Sequence, residues 1–562
     1  MLMSSLAGAV LWTLASLPGQ SPAAPDPAKI DAVFAAYDKA ISPGCALAVY
    51  QGDAVAYRKA YGMANLDHDI PLTPSTVFHV ASISKQFTGT AILLLAQDGK
   101  LSLDDDIRKH LPELQDFGKT ITIRQLANHT SGLRDQWDLL GLAGWRYSRD
   151  LITDDDVMEL LVRQKDLNFP PGDRHLYSNS GFTLLAVIVS RVSGQSFREF
   201  TTERIFKPLG MTRTHFRDNF AEIVKHQAYG YAPVRDTFRL SVTNFDTAGA
   251  TSLLTTVEDL LKWHANFDTR TVGGDALQSA LLERGLLNSG SRISYAFGIT
   301  HGTYRGVPTV GHGGSDAGYR ADFVRFPEQK LGVATLCNIG TANPGQLSRR
   351  VADLFLPANL PAATTESPAD DTPEVPVPEA TLKRLAGIYW NAAEATALRV
   401  VFDAGTLHAV DGRQRTALKS VGGGAFVMTA GPRTRVSFEE QAGGAVHLKP
   451  GGSAPVFVRM DPYTPSADQV AEFAGTYRSD EMDAVFRMTV KDGALRLERS
   501  KLQPAPLEPM ITDTFRTQAG LVQFTRDGAG RVTGFVLQGN RVKHVKFRKD
   551  TPASGSSASD AR

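Results

Sequence analysis

Hydrophobic and polar positions in the first two thirds of the chain follow first a helical period and then a strand period. Apolar residues recur every three or four positions over residues 28–41, which predicts an amphipathic helix. Two runs with strand character follow at 46–51 and 54–61, separated by a Gly-Asp turn. Helical patterns return at 85–98 and 181–193, and a glycine follows each of them, as is common after a helix.

The pattern changes back to strands before residue 356. Strand-like runs occupy 295–300, 320–326 and 331–337, and a last helical pattern covers 345–356. Helix, strands, a long and mostly helical middle, strands and helix together indicate an α+β domain over residues 28–356. We expect one antiparallel sheet flanked by helices, with a helical subdomain inserted between its strands.

The last third of the chain has a different organisation. Residues 357–380 are rich in Pro, Ala, Thr, Glu and Asp without periodicity, which predicts a semi-extended linker. The sequence Leu385-Ala386-Gly387-Ile388-Tyr389 then recurs as Phe473-Ala474-Gly475-Thr476-Tyr477, and two further anchors keep the same offset of 88 positions. Short alternating runs predict two all-β modules, 381–463 and 468–549, built as small antiparallel barrels or sandwiches. The Ser- and Ala-rich tail, 550–562, is predicted to be disordered.

Charge and composition narrow the range of functions. The 562 residues include 60 basic and 59 acidic side chains, and no basic stripe suggests a nucleic-acid partner. Two cysteines exclude a disulfide-rich scaffold and a Cys-based zinc cluster. The acidic runs 104–106 and 154–156 resemble metal clusters, but each precedes a helical pattern, so we interpret them as helix caps. We therefore expect neither a metal nor a cofactor.

The N-terminus predicts export. Residues 6–17 are apolar over a length typical of a signal peptide and too short to span a bilayer. Small residues follow at 21–24, as around a cleavage site, although residues 1–5 lack the usual basic side chain. We expect a leader over residues 1–27 and a periplasmic or secreted protein without an integral membrane span. The alternative is a disordered apolar N-terminus.

The most informative motif is Ser82-Ile83-Ser84-Lys85. Residues three apart share one face of a helix, so the Lys85 amine is placed to reach the Ser82 hydroxyl. A serine hydroxyl becomes a nucleophile when a neighbouring base takes its proton, and helix N-terminal N–H groups favour developing negative charge. Alone, the motif is common by chance and is compatible with a serine that only caps a helix.

Two further motifs follow in order, Tyr177-Ser178-Asn179 and His312-Gly313-Gly314, with His129-Thr130-Ser131-Gly132 before them. The order Ser-x-x-Lys, Tyr-x-Asn and a Gly-containing third motif is that of β-lactamases and penicillin-binding proteins. Residues 28–356 resemble this superfamily, in particular the branch of class C β-lactamases, carboxylesterases, DD-carboxypeptidases and D-aminopeptidases. The two β modules resemble the layout of bacterial D-aminopeptidases, and related peptidases carry a single lipocalin-like module.

The resemblance implies a role for each motif residue. Ser82 is the nucleophile and Lys85 or Tyr177 the base, a choice that the sequence leaves open. Asn179 is expected to bind Lys85 and the substrate amide, while Gly313 and Gly314 let the strand approach the substrate closely. The backbone N–H groups of Ser82 and Ser315 are expected to form the oxyanion hole. The resemblance also places a β-module loop at the active site, and we identify no such loop from the sequence.

His312 departs from the lysine that β-lactamases carry at the third motif. We expect its charge to change with pH near neutrality, which weakens selection for substrate carboxylates and hence β-lactam turnover. Together with Lys85, a charged His312 would lower the pKa of Tyr177 towards the working range.

The fold implied by the resemblance makes the strands that carry Cys45 and Cys337 antiparallel neighbours. We nevertheless expect two buried free thiols, with a disulfide as the alternative.

The predicted protein is a serine hydrolase that forms an acyl-enzyme with a short peptide, amide or ester. A D-aminopeptidase or DD-carboxypeptidase-like peptidase is favoured. A carboxylesterase, a weak β-lactamase and a non-catalytic peptidoglycan- or peptide-binding protein are the alternatives. The intact Ser82, Lys85, Tyr177 and Asn179 argue against the last of these. The sequence does not give the oligomeric state.

Overall fold

A computed structural model of the protein describes residues 25–361, 373–411, 414–429, 435–442, 444–450 and 456–550. Residues 1–24 of the leader, residues 362–372 of the linker and the tail from residue 551 lie outside the described residues, so those predictions stay as they are. Within the described chain, no helix has the length and apolar character needed to cross a bilayer.

The N-terminal domain contains eleven α-helices and fifteen strands in the described range. The helices are α1 Pro27–Phe34, α2 Ser84–Gln97, α3 Ile123–Ala127, α4 Gln136–Ala143, α5 Asp154–Val162, α6 Asn179–Ser193, α7 Phe197–Thr201, α8 Lys207–Leu209, α9 Val257–Thr269, α10 Gly274–Leu281 and α11 Pro344–Ala352. Short 3₁₀ helices occupy Ala81–Ile83, Ile107–Lys109 and Pro327–Gln329, and a π-helix occupies Thr202–Phe206.

The strands of this domain are β1 Cys45–Gln51, β2 Ala54–Tyr61, β3 Met63–Asn65, β4 Ile70–Pro71, β5 Phe78–His79, β6 Ile152–Thr153, β7 His215–Phe216, β8 Tyr231–Val234, β9 Thr237–Leu240, β10 Phe245–Asp246, β11 Leu253–Thr255, β12 Thr300–Tyr304, β13 Val307–Asp316, β14 Tyr319–Phe326 and β15 Leu331–Cys337. Six of them form the main antiparallel sheet, in the order β12-β13-β14-β15-β1-β2. The first and last long strands along the chain are therefore neighbours, and the helical middle lies between them, which confirms the predicted α+β architecture.

Strand β1 shows how the sheet divides the core. Its side chains alternate between the two faces, as the period of a strand requires. Ala46, Ala48 and Tyr50 belong to the larger core, which contains the helices of the middle segment. Leu47 and Val49 belong to a second core, which α1 and α11 cover on the other face. Both faces of the sheet are therefore buried, with α2 at the centre of the larger core.

The cysteines form a disulfide, so the expectation of two free thiols is wrong. Strand β1 pairs with β15 in a register that places Cys45 opposite Cys337, with a Cα–Cα distance of 4.0 Å. Both side chains point to the same face of the sheet, where they are buried beside α1 and α11. The register between β1 and β15, which are far apart in the chain, determines this pairing, and the amino-acid composition does not predict it.

Two predicted elements differ from the structure. The first helix ends at Phe34 instead of residue 41, because the chain turns to enter β1, and Ile41 is 82% exposed. The apolar run 295–300 is mostly a buried loop, with the strand beginning only at Thr300. Gly298 in this loop has a φ of +81°, and a Cβ there would lie 2.3 Å from the Lys85 carbonyl oxygen. The loop thus packs its backbone directly on α2.

The acidic runs cap helices, as interpreted from the sequence. The Asp106 carboxylate accepts a hydrogen bond from the Arg108 N–H at the start of a 3₁₀ turn. At the start of α5, Thr153 and Asp156 form a reciprocal capping box. Within the described residues, no group of three or more His, Cys, Asp or Glu side chains is arranged to hold a metal ion.

The two β modules are confirmed. The first begins with α12 Glu379–Leu385, and its strands are β16 Gly387–Asn391, β17 Thr396–Asp403, β18 Thr406–Asp411, β19 Gln414–Gly422, β20 Ala425–Met428, β21 Arg435–Glu440, β22 Val446–Pro450 and β23 Phe457–Met460. These eight strands form a closed antiparallel barrel, because β16 also pairs with β23.

The second module begins with α13 Ala467–Glu472, and its strands are β24 Gly475–Ser479, β25 Ala484–Lys491, β26 Ala494–Arg499, β27 Ala505–Pro506, β28 Glu508–Ile511, β29 Thr514–Thr517, β30 Gly520–Arg526, β31 Val532–Gln538 and β32 Val545–Lys549. They form one nine-stranded sheet in the order β27-β26-β25-β24-β32-β31-β30-β29-β28. In the described residues, β27 and β28 are the two edge strands of this sheet, and they do not pair with each other as β16 and β23 do in the first barrel.

The repeated Gly-x-Tyr motif has the same structural purpose in both modules. The Tyr389 hydroxyl donates a hydrogen bond to the Leu385 carbonyl at 2.7 Å, and Tyr477 donates to the Phe473 carbonyl at 2.8 Å. Each tyrosine is buried and satisfies a carbonyl near the C-terminal end of the preceding helix. The motif therefore fixes the short helix to the first strand of each module.

We expect the disulfide to stabilise the N-terminal domain. Replacing both Cys45 and Cys337 with alanine removes a cross-link that spans 292 residues. The free energy of unfolding, measured in urea, should fall by about 2–4 kcal/mol, as is typical for a native disulfide. A reducing agent should lower the midpoint of the natural protein and leave that of the double variant unchanged. Two thiols that titrate freely in denaturant without reduction would contradict this pairing.

Candidate active site

The Ser82 nucleophile candidate lies on the 3₁₀ turn Ala81–Ile83 that leads into α2. Ala81 has a φ of +49°, a left-handed conformation that is rare for a residue with a side chain. The Ser84 hydroxyl donates to the Ala81 carbonyl at 2.5 Å and accepts from the Leu253 N–H at 3.1 Å. The turn is thus fixed on both sides, and Ser82 is presented from a rigid, buried segment.

Lys85 is fully buried one turn further along. Its Nζ lies 3.1 Å from Ser82 Oγ, 2.9 Å from Asn179 Oδ1 and 2.7 Å from the Ala250 carbonyl oxygen. Burial lowers the pKa of Lys85 to about 7, and the carboxylates of Asp135 and Asp316 act in the opposite direction. A neutral amine retains two N–H donors, one for the Asn179 amide oxygen and one for the Ala250 carbonyl oxygen. Its lone pair is then available to take the Ser82 proton.

Tyr177 packs over this group, and its ring centroid lies 4.9 Å from Lys85 Nζ. Burial raises the pKa of Tyr177 above its usual value, and the nearby Ser82 hydroxyl lowers it only in part. The expectation that neighbouring cations bring this pKa down is therefore wrong, because loss of hydration outweighs their effect. Tyr177 is protonated at neutral pH and can donate a proton, which favours Lys85 over Tyr177 as the candidate base.

The His129 segment holds Tyr177 in place. His129 has a φ of +57°, and its ring contacts the rings of Tyr177 and Tyr295 at centroid distances of 4.2 and 4.5 Å. Its Nδ1 accepts a hydrogen bond from the Ser178 N–H at 3.2 Å. Burial lowers the pKa of His129, so the ring is neutral. The His-Thr-Ser-Gly segment therefore positions the second motif.

Asn179 connects Lys85 to a buried carboxylate. Its backbone N–H and its side-chain Nδ2 both donate to Asp135 Oδ2, at 2.7 and 2.8 Å. These bonds turn the amide oxygen towards Lys85. The role predicted for Asn179 towards Lys85 agrees with this geometry, and Asp135 is a positioning residue that the sequence analysis missed.

His312 faces the cleft from β13 as a neutral ring. Its Nδ1 donates to the Gly313 carbonyl at 2.5 Å, so its Nε2 accepts a hydrogen bond from the Tyr295 hydroxyl at 2.9 Å. Burial and the nearby Lys85 lower the pKa of His312 to about 4. The expectation of a charge that changes near neutral pH is therefore wrong, since this ring gains its proton only in acid.

The glycines of the third motif have different surroundings. A Cβ on Gly314 would lie 2.2 Å from the Val80 carbonyl oxygen, so this glycine lets β13 pack against the turn that carries Ser82. Gly313 is exposed and faces the opposite side of the strand. Close approach to the protein's own backbone is therefore required at Gly314, and close approach of the strand to the substrate stays a prediction.

These side chains share one cavity of about 1010 Å³. All the predicted site residues except Lys85 line it, namely Ser82, Tyr177, Asn179, His312, Gly313, Gly314 and Ser315. Lys85 lies beneath Ser82, within contact of its hydroxyl. The oxyanion hole formed by the N–H groups of Ser82 and Ser315 stays a prediction, and the packing of β13 on the Ser82 turn is consistent with it.

A loop of the second β module completes the cavity. Residues 539–544 connect β31 to β32, and Arg541 lies at the cavity wall. The Arg541 guanidinium contacts Asp135 at 3.2 Å and Asp138 at 3.0 Å. The Arg541 carbonyl accepts from the Asp135 N–H at 3.1 Å. This is the β-module loop that the resemblance implied and that the sequence did not reveal.

The loop is anchored by buried contacts on both sides of Arg541. Asn168 exchanges hydrogen bonds with the backbone of Arg541 and Lys543, at 2.9 and 2.7 Å. The fully buried Arg134 donates to the Lys543 carbonyl and forms an ion pair with Glu481. Arg541, Asp135, Asn179, Lys85 and Ser82 thus form a continuous chain of polar contacts from the second module to the nucleophile.

A family model described as Beta-lactamase matches residues 30–356. The chain belongs to this family. Its motifs and relatives make it a serine hydrolase of the β-lactamase and penicillin-binding-protein superfamily.

The chain is 28% identical over 448 residues to a D-aminopeptidase of Gluconobacter oxydans, covering 78% of this chain and 80% of that protein. It is 31% identical over 314 residues to penicillin-binding protein 4* of Bacillus subtilis, covering 52% of this chain and 68% of that protein. The octameric penicillin-binding protein homologue from Pyrococcus abyssi shares the fold, with a TM-score of 0.55, 24% identity and coverage of 77% of this chain and all of that one.

The buried Lys85 predicts how acylation depends on pH. Because the lone pair of Lys85 must be free to accept the Ser82 proton, acylation should be slow in acid, rise with a midpoint near the Lys85 pKa of about 7 and then level off. Pre-steady-state acylation by an activated ester across this pH range measures the curve. A midpoint near 10, as for an exposed lysine, would contradict the assignment of Lys85 as base.

Arg541 is expected to act on acylation from the second module. Its charge lowers the pKa of Lys85, so Arg541→Ala should move the midpoint of the acylation profile to higher pH. It also leaves Asp135 buried without its ion pair, which should slow acylation at pH 7 by roughly 10- to 100-fold.

Lys543→Ala is the matched control, because Lys543 contributes backbone contacts to the same loop. Its profile should match that of the natural protein. Identical profiles for both variants and the natural protein would rule out a role for Arg541.

Proposed function

We propose that the protein is an aminopeptidase that removes an N-terminal D-residue from short peptides or amides. The observation that carries this proposal is that a loop of the second β module forms part of the wall of the active-site cavity. The D-aminopeptidase of Brucella melitensis matches over 90% of this chain and 96% of its own length at 25% identity, so the match extends into the β modules.

The geometry supports the following acylation step. The carbonyl carbon of the substrate is attacked by Ser82 Oγ while the hydroxyl proton moves to Lys85 Nζ, 3.1 Å away. The developing oxyanion is stabilised by the backbone N–H groups of the predicted oxyanion hole. The C–N bond then breaks, the leaving amine takes a proton from the Lys85 and Tyr177 pair, and an ester to Ser82 remains. Hydrolysis of that ester by water regenerates the enzyme.

The neutral His312 supports an aminopeptidase over a β-lactamase. A β-lactam carries a carboxylate that a permanent cation in the third motif would bind, and a ring with a pKa of about 4 is uncharged at pH 7. A carboxylesterase remains the second candidate, because the same neutral His312 ring accepts an ester whose leaving group carries no charge.

The disulfide supports a location outside the cytoplasm. Cys45 and Cys337 pair in the core of the main sheet, and structural disulfides persist in oxidising compartments such as the periplasm. Together with the apolar N-terminus of the sequence, this favours an exported, periplasmic or secreted enzyme. The ligand that we propose is a short peptide or amide.

A panel of four substrates tests the proposal. D-alanine p-nitroanilide, a D-Ala-D-Ala peptide with a blocked N-terminus, p-nitrophenyl propionate and a cephalosporin are compared by kcat/KM. The D-alanine anilide should be the best amide substrate, and the cephalosporin should be turned over poorly. Preference for the blocked peptide would indicate a carboxypeptidase, and activity confined to the propionate would indicate an esterase.

Ser82→Ala should abolish both turnover and covalent labelling by an activated ester. Ser178→Ala is the matched control, since the Ser178 hydroxyl makes no hydrogen bond within the described structure and does not line the cavity. It should label like the natural protein. Equal labelling of the Ser82→Ala variant would overturn the acyl-enzyme mechanism.

A further inference from the structure

Asp316 is a buried carboxylate at the cavity wall that the mechanism above does not use. It is the last residue of β13 and directly follows Ser315 of the predicted oxyanion hole. It lies on the same face of the strand as Gly314, the face that packs on the turn carrying Ser82. Asp316 is 5% exposed and lines the cavity together with Ser82 and Thr251.

The hydrogen-bond partners of Asp316 do not include a lysine or arginine. Its Oδ2 accepts from the Thr251 hydroxyl at 2.6 Å and lies 2.9 Å from His79 Nε2. Its Oδ1 accepts from the Tyr147 hydroxyl. His79 Nδ1 has no hydrogen-bond partner among the described residues.

Two other buried carboxylates, one near the cavity and one lining it, differ from Asp316 because each has an arginine as its partner. Asp135 forms an ion pair with Arg541, and Asp322 forms one with Arg349 at 3.0 Å. Within the described residues, Asp316 has no Lys or Arg nitrogen within ion-pair distance. The partners of Asp316 are hydroxyl groups and the His79 ring, and none is a lysine or arginine, so a cation that enters the cavity is stabilised beside this buried carboxylate.

We propose that Asp316 binds the protonated α-amino group of the substrate and thereby selects peptides and amides with a free N-terminus. This inference rests on the proposed aminopeptidase function and names the residue that would provide its specificity.

The position of Asp316 fits this role. A substrate carbonyl held between the N–H groups of Ser82 and Ser315 has its α-carbon, and the amino group on it, at the end of β13 where Asp316 lies. The leaving group then extends towards His312 and Tyr177, further back along the strand and across the cavity. The ammonium takes the place of the Tyr147 hydroxyl on Oδ1. Tyr147 is 36% exposed and packs on Trp137 at the cavity wall, where it can yield to a ligand.

The loop at residues 539–544 of the second module is not suited to binding the substrate's α-amino group. It presents the guanidinium of Arg541, which repels an ammonium group, and the two carboxylates near it are already paired with that guanidinium. In this chain, Asp316 on the main sheet therefore binds the amine, and the loop instead positions Lys85 through Arg541, Asp135 and Asn179.

Asp316→Asn tests the inference with substrates that carry or lack a charged α-amino group. D-alanine p-nitroanilide carries the ammonium group, its N-acetyl derivative carries none, and p-nitrophenyl propionate has the same acyl carbon skeleton without nitrogen. Loss of a charged hydrogen bond should lower kcat/KM for the anilide by roughly 10- to 100-fold, mainly through KM. The propionate should change by less than about threefold, and the preference for the free amine over its N-acetyl form should disappear.

Asp322→Asn is the matched control, since it removes a buried carboxylate from the same cavity that already has Arg349 as its partner. It should keep the preference for the free amine. Titration of Ser82 with an activated ester gives the concentration of folded sites for each variant.

The outcomes separate the two claims. If the natural protein prefers the free amine and Asp316→Asn keeps that preference, the role of Asp316 is overturned and the aminopeptidase function stands. If Asp316→Asn loses activity equally on anilide and propionate, Asp316 is a structural residue and the inference also falls. If the natural protein shows no preference for a free amine, the proposed function fails and the inference fails with it.

Discussion

The burial of Lys85 is the constraint on which the active site depends. A lysine in the core would be destabilising unless its nitrogen found partners, and Asn179 and Ala250 supply them from two different segments. The same burial brings its pKa to about 7, so the amine can be neutral beside the Ser82 hydroxyl. Burying the Lys85 amine destabilises the folded protein, and the packing of the other α2 side chains, which are nearly all buried, offsets this loss. Burial of α2 in the core therefore both stabilises the helix and makes the Lys85 amine reactive.

The polar chain behind Lys85 crosses a domain boundary. Asp135 orients Asn179, and Arg541 neutralises Asp135 from a loop of the second β module. The hydrophobic core is continuous across the same boundary, because buried side chains of the second module belong to the cluster that contains α2. The second module is therefore part of the environment of the nucleophile, while the first barrel has a core of its own.

Local patterns predicted much of this molecule. The spacing of Ser82 and Lys85, the order of the three motifs and the repeated Gly-x-Tyr depend on residues close in sequence, and each agrees with the structure. The charge of His312 and the pKa of Tyr177 were predicted wrongly, because both depend on burial by distant segments. The disulfide, the Arg541 loop and the surroundings of Asp316 arise from strand register and domain packing, which leave no local signal. Asp316 directly follows a motif residue, yet its partners His79 and Thr251 come from elsewhere in the chain.

The most direct test is a titration of the Lys85 amine itself. NMR spectra of protein with ¹³C- and ¹⁵N-labelled lysine, assigned with a Lys85→Arg variant, follow the Cε and Nζ shifts of Lys85 between pH 5 and pH 11. A midpoint near 7 is predicted, because burial removes the hydration that stabilises the charged form. A midpoint near 10.4, the value of an exposed lysine, would show that Lys85 is charged at neutral pH and would contradict its role as the base for Ser82.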